Sequence, residues 1–406
     1  MSLLTRNRGA LPLLMFNIFL IFTGIGLVVP IMPAYMDLLH INGTTIGLLV
    51  AAFSFAQFLF SPVAGRWSDS IGRKKIIIAG MLLFAVSEFM FGAVNSAVWL
   101  FVSRMLGGIG AAMIFPSVMA YTADITSDEE RARGMGLITA AITTGFIIGP
   151  GIGGYIAELG IRIPFYCAGA AGLIAAIVTL IVLPESARAG AAASSERAPA
   201  PKEGVVRQML LSYRQPYFFS LIIVLIMAFG LANFETVFSL FVDHKFGFTT
   251  KDIAFIITFG SIAGAVVQLL LMGWLLNTFG EKRVIAVCLF FVALFIPLTL
   301  FVSAYWMIFA VTFIVFLAMD ILRPAVSTQM SKMAEEQQGF IAGLNSAFTS
   351  LGNIIGPIVA GALFDININY PYLSAGLVLA VCFLLSLRVL RGSGPSRPVK
   401  PAVDQQ

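Results

Sequence analysis

Charge is what this chain has least of. Charged residues make up 11% of its 406 positions, against 59% for hydrophobic ones. No soluble domain of that length hides so much apolar surface in one core, so the bilayer must be the solvent. Cysteine is also scarce. Cys167, Cys288 and Cys382 all fall inside apolar runs, with neither metal-ligand spacing nor a disulfide framework. No Gly-x-x-x-x-Gly-Lys-Ser/Thr loop occurs, which leaves an ion gradient or the substrate's own gradient as the energy source. Nothing in the sequence calls for a metal or a cofactor, and no enzymatic signature is present.

What the chain has in quantity is apolar runs of about 20 residues or more, each long enough to span a bilayer. They lie near 12–35, 44–65, 76–96, 98–122, 134–157, 163–183, 217–242, 252–275, 284–303, 305–330, 339–364 and 370–390. The expected fold is therefore an all-α membrane protein of about twelve transmembrane helices in two pseudo-symmetric six-helix halves. The halves are 1–185 and 216–391, joined by a linker over 186–215 that is rich in Ala, Ser, Pro and Gly. A tail over 392–406, with Pro395, Pro398 and Pro401, is expected to be disordered. The first span lacks a small-residue cleavage site and runs into Pro30 and Pro33, so it reads as a retained helix.

The chain also says the same thing twice, about 208 positions apart. Gly65-Arg66-Trp67-Ser68-Asp69-Ser70-Ile71-Gly72-Arg73-Lys74-Lys75 returns, degraded, as Gly273-Trp274-Leu275-Leu276-Asn277-Thr278-Phe279-Gly280-Glu281-Lys282-Arg283. Pro116 and Pro324 keep the offset, and Gly149-Pro150 and Gly356-Pro357 keep it within one residue. Two matching halves that expose a shared midplane site alternately are the architecture of a secondary transporter.

Basic residues orient the chain. With the N-terminus in the cytoplasm, Arg6, Arg8, Arg66, Arg73, Lys74, Lys75, Arg131, Arg133, Lys282, Arg283, Lys332 and the linker lie inside, and only Arg162, Lys245 and Lys251 outside. The bias places both termini in the cytoplasm. The net charge of +5 is thus topology, and points to no nucleic-acid partner.

Five charged residues fall within spans: Glu88, Arg104, Glu235, Asp320 and Arg323. Each costs on the order of 2.5–3.5 kcal/mol at a helix centre, so it needs a partner, a water-filled cavity or a neutral state. A carboxylic acid can take the neutral form, and a nearby cation favours the ionised one; such a group can carry a proton whose occupancy depends on ligand. Glu235 has no charged neighbour in sequence. Asp320 and Arg323 are spaced i, i+3 and can pair on one helix face. Arg104 cannot give up its charge and would serve as a fixed cation. Glu88 is open to packing and functional readings alike.

Two further patterns concern helix movement. Gly65 to Lys75 reads as a cytoplasmic loop in which Arg73 can reach an acid on another span, Asp124 being the candidate. Together with Gly65 and Asp69 this cluster would latch one conformation and release in the other. Gly145, Gly149 and Gly153 fall at i, i+4 and i+8 and form a bare stripe that permits close helix contact, next to Pro150 and Gly154. Gly352, Gly356, Pro357 and Gly361 repeat it. Symmetric kinks at the half-to-half interface are expected to act as a rocking hinge.

These residues resemble a known family. Gly65–Lys75 looks like motif A of the major facilitator superfamily, and Gly145–Gly154 like motif C, the antiporter signature. Leu100–Ala112 resembles motif B, with Gly107 in place of the polar residue often found there. Gly24-Ile25-Gly26-Leu27-Val28-Val29-Pro30-Ile31-Met32-Pro33 is similar to the first-helix motif of twelve-span drug:proton antiporters. Phe16 to Phe22, Phe234-Glu235-Thr236, Asp320 to Pro324 and Gly343 to Ser346 resemble the NorA-type quinolone and multidrug exporters.

The resemblance implies export of varied amphipathic, often cationic drugs and dyes in exchange for protons, from a monomer in the bacterial plasma membrane. By analogy Glu235 and Asp320 bind the protons and Arg323 and Arg104 modulate them. Phe16, Gln57, Phe146 and Phe316 lie on spans expected to line an apolar pocket, with Glu235 and Asp320 as its polar anchors. The alternative is a facilitator-type carrier of one physiological solute, such as a polyamine or a sugar. The few polar side chains in these spans disfavour a sugar.

Overall fold

The computed structural model of the protein describes residues 9–186, 218–333 and 338–392. Arg6, Arg8, nearly all of the expected linker and nearly all of the expected tail lie outside the described residues. Those described are helical, with no strand among them. In hydrocarbon every backbone N–H and C=O must be satisfied within the segment, and the helix does this.

The N-terminal set comprises α1 (Ala10–Leu27), α2 (Met32–Leu39), α3 (Gly43–Ile71), α4 (Arg73–Ala93), α5 (Ala97–Ile125), α6 (Asp128–Ala157) and α7 (Ile163–Val182). The C-terminal set comprises α8 (Phe218–Phe246), α9 (Thr250–Leu270), α10 (Met272–Phe279), α11 (Glu281–Leu298), α12 (Tyr305–Met333), α13 (Gln338–Ile366) and α14 (Tyr370–Gly392). A 3₁₀ turn over Val29–Ile31 joins α1 to α2, where Pro30 and Pro33 remove backbone donors.

Among the described residues, eleven stretches are long and apolar enough to cross a membrane, α1 and α2 counting as one. α11 corresponds to the ninth expected span but carries Glu281, Lys282 and Arg283 within its 18 residues, which leaves a shorter apolar stretch than the sequence suggested. The twofold repeat is visible in three dimensions. Pro116 lies inside α5 and Pro324 inside α12; Pro150 lies inside α6 and Pro357 inside α13.

One expectation needs correction. Gly65 to Lys75 is not a loop: α3 runs through Ile71 and α4 starts at Arg73, leaving Gly72 alone between them. Nothing from Arg66 to Ile71 breaks a helix, whereas Gly72 holds φ 118° and its repeat partner Gly280 holds φ 78°. Backbone of that kind suits glycine.

The glycine stripe also sits elsewhere than expected. A Cβ built on Gly145, Gly149 or Gly153 would meet the carbonyl oxygens of Phe19, Thr23 and Leu27 at 2.5–2.7 Å. The stripe therefore packs α6 on α1, inside the N-terminal set and not between the sets. Gly352 and Gly356 pack α13 on α8 in the same way. Residues one helical face away make the contact between sets: Gly151 lies against Thr258, and Gly154 against Ala254 and the Thr250 carbonyl. Helix α6 runs unbroken through Pro150.

The two sets meet along α3–α13 and α6–α9 at one end only. Gly47 lies against the Pro357 carbonyl, and Gly361 against the Gly43 carbonyl. Nearer the other ends of α3, α6 and α13, Gly65, Gly136 and Gly343 have nothing within 4 Å of an added Cβ, and neither does Gly273 on α10, which follows α9. The sets thus touch at the end holding the α2–α3 connection, called distal here. They diverge toward the end where α3 meets α4 and α7 leads into the linker, called the linker end.

Gly149→Val should overpack the α1–α6 contact at a cost of about 1–3 kcal/mol, whereas Gly65→Ala should leave stability nearly unchanged. Thermal unfolding in detergent, followed by tryptophan emission, checks both; equal melting temperatures would refute this packing scheme.

Candidate functional site

The charged residues that the sequence placed in spans form two separate groups. In the first, Arg323 of α12 donates from Nη2 to Glu235 Oε1 of α8 at 2.5 Å. Although both lie well inside their helices, the side chains are 51% and 40% exposed. A half-exposed ion pair within the C-terminal set avoids most of the cost of dry burial in a span. Asp320 is one turn before Arg323 but makes no ion pair with it; its carboxylate lies where a Cβ on Gly264 of α9 would be. Arg323 therefore pairs across helices and not with its i−3 neighbour. Glu235, Asp320 and Arg323 make a cluster of two carboxyls and one fixed cation.

In the second group, Glu88 of α4 and Arg104 of α5 are almost fully buried in the N-terminal set. The Arg104 guanidinium lies 4.2 Å from the centroid of the Phe91 ring. Arg104 Nη2 and Glu88 Oε2 have no hydrogen-bond partner. Arg104 makes no hydrogen bond or ion pair with Glu235, Asp320 or Arg323.

The expected pocket residues divide. Phe16 and Phe146 are exposed, with Phe146 stacked edge-on against Phe22 at 4.9 Å, and Gln57 is half-buried. Phe316 is buried, its ring 5.9 Å from Phe234 and 5.5 Å from Phe238. It packs within the C-terminal set, beside Gly260 of α9.

At the linker end, Arg73 is buried and pairs with Asp69 and, from Nε at 3.2 Å, with Asp124. Ser186 Oγ donates to Asp124 at 2.7 Å, and the Lys74 amide donates to Glu185 at 3.1 Å. All these groups belong to the N-terminal set or the segment just after it. The cluster holds α3, α4, α5 and the start of the linker together and does not bridge the sets.

A scan against protein-family models matches residues 14–271 and 220–405 to the model described as Major Facilitator Superfamily. The chain belongs to the major facilitator superfamily. It is 50% identical over 373 residues to multidrug resistance protein 2 of Bacillus subtilis strain 168, covering 91% of this chain and 92% of that protein. To the quinolone resistance protein NorA of Staphylococcus aureus it is 41% identical over 369 residues, covering 90% and 93%. Among solved structures, a bacterial homologue of the human lysosomal transporter Spinster shares the fold at TM-score 0.77, with 15% identity and 95% and 98% of the two chains covered. As a facilitator-superfamily transporter, the chain is not an enzyme.

One contact between the sets is not advertised by the sequence. Asp365, at the distal end of α13, accepts from the Gly43 amide at 2.7 Å, the Thr44 amide at 2.8 Å and Thr44 Oγ1 at 2.5 Å. It caps the N-terminus of α3 from the other helix set, where the free N–H groups and the helix dipole favour a carboxylate. Lys251 of α9 pairs with Glu158 just after α6 at 3.3 Å, beside the Tyr155 ring. The signal for Asp365 is only an acid late in a glycine-rich span; its partners are more than 300 residues away. Asp365→Ala should weaken distal closure. Spin labels at His40 and Asn367, in a background lacking Cys167, should show a longer-distance population in the variant; an unchanged distribution would remove Asp365 from the gate.

Proposed function

We propose that this protein is a proton-coupled antiporter that exports amphipathic, often cationic drugs and dyes across the bacterial cell membrane by alternating access. The observation that carries the reading is the half-exposed Glu235–Arg323 pair with Asp320 one turn before Arg323 on α12; in this reading its exposed side faces the space that opens toward the linker end. The names of the similar proteins supply the substrate class. The basic residues place the linker end, and with it both termini, in the cytoplasm, so the open space faces inward.

In this reading a cationic drug enters from the cytoplasmic side and displaces the Arg323 guanidinium from Glu235, favouring ionised carboxyls. After the sets rock, the distal contacts part, and the open glycines of α3, α6 and α13 provide room for the linker ends to close. Protons arriving from outside neutralise Glu235 and Asp320, and the drug loses its counter-charge and leaves. Coupling requires only that drug and proton bind one site antagonistically. Phe16 and Phe146 supply exposed aromatic surface for the drug, with Gln57 as a polar contact. The Asp69–Arg73–Asp124 cluster keeps the linker ends of α3, α4 and α5 together as that set moves, and a monomer suffices for the cycle.

Efflux of ethidium from proteoliposomes with an imposed pH gradient tests this. Glu235→Gln and Asp320→Asn, at matched insertion, should each lower gradient-driven transport at least about tenfold, a loss on the order of 1.4 kcal/mol in coupling. Transport that ignores the gradient in the unmutated protein would reject antiport and favour a facilitator for a single solute.

A further inference from the structure

A second cleft, of about 910 Å³, lies behind α12. Ile314, Leu317, Ala318 and Ile321 form its α12 wall, and at 100° per residue Arg323 falls on the opposite face of the same helix. The cleft is therefore separate from the charged space between the helix sets. α10, α11 and α14 complete its walls. Arg283 is the one polar side chain among apolar lining residues, and it stands at the linker end of α11. It is exposed and makes no hydrogen bond or ion pair with any described residue, while its neighbours Glu281 and Lys282 have contacts of their own.

The cleft faces outward. Val287 and Phe290 on its α11 wall are 54% and 45% exposed, which for a membrane-embedded helix means contact with acyl chains. Trp274 and Phe279 meet edge-on at 5.6 Å on α10, at the same end as Arg283, and Phe279 lines the cleft. Aromatic rings of this kind mark the headgroup level of a bilayer. An unpaired cation therefore stands at headgroup depth above an apolar trough, and basic pockets between transmembrane helices bind anionic lipid headgroups. A cationic drug would meet repulsion from Arg283 at the rim.

We propose that this cleft binds an anionic phospholipid of the linker-end leaflet, with its acyl chains against α11 and α12 and its phosphate on Arg283. The lipid would sit against the back of the helix that carries Asp320 and Arg323 on its other side.

The test uses the full chain in nanodiscs with Trp67, Trp99 and Trp306 replaced by Phe, leaving Trp274 as reporter beside the cleft. Brominated phosphatidylglycerol at low mole fraction should quench Trp274 several-fold more than brominated phosphatidylcholine. Arg283→Gln should equalise the two lipids, and Arg283→Lys should keep the preference. Equal quenching in the Arg283 protein, or a preference that survives Arg283→Gln, would overturn the proposal. Should Arg283→Gln not fold, added salt decides: the preference of the Arg283 protein should shrink, and an unchanged preference counts against the site. Recovery of Trp274 emission on adding tetraphenylphosphonium would assign the cleft to lipophilic cations and likewise overturn the lipid reading.

Discussion

Close approach of helix backbones at glycine is the contact on which the rest of this structure depends. Between apolar helices in lipid there is no hydrophobic gain from association, so van der Waals packing and interhelical hydrogen bonds must hold them. Gly145, Gly149 and Gly153 bring α6 onto α1, and Gly352 and Gly356 bring α13 onto α8, making each helix set a firm body. Gly43, Gly47 and Gly361 then bring α3 and α13 together across the sets. At that contact the exposed amides of the α3 N-terminus come within reach of Asp365. A packing constraint thus becomes a polar one, and both act at a single end.

Because the sets touch at one end and diverge toward the other, the charged cluster needs no dry burial. Glu235 and Arg323 pair in water-accessible space, where a ligand or proton can exchange with either partner. Glu88 and Arg104 occupy the opposite situation, enclosed in the N-terminal set with unsatisfied polar atoms. A buried ion of this kind resists exchange, because every move costs desolvation that no solvent returns. The same residue types therefore have different capacities in the two sets, and exposure separates them.

Local features were legible in the residues themselves. Helix number, the twofold repeat and the paired prolines follow from apolar run length and spacing, and the Arg73–Asp124 contact follows from a basic residue at a span's end within reach of an acid at the same end of another. Where the reading from residues went astray, the missing quantity was a direction. The polar stretch from Gly65 to Ile71 is helical because nothing in it breaks a helix, and polarity alone says nothing of φ and ψ. Asp320 and Arg323 were placed correctly on one helix, yet Arg323 turns to Glu235 on another. Phe316, one of 36 phenylalanines, gives no sign in sequence of its packing on Phe234 and Phe238.

The sequence by itself determined that the chain lives in a bilayer, repeats itself and carries a few ionisable groups at membrane depth, because hydropathy, period and charge cost are properties of residues along a line. The tertiary structure alone decided which glycines join helices within a set and which join the sets, that Asp365 caps a helix from the far side of the molecule, and which end stands open. Those outcomes depend on how two rigid bodies are placed relative to one another. Contacts between residues separated by hundreds of positions come from that placement, and no local pattern encodes it.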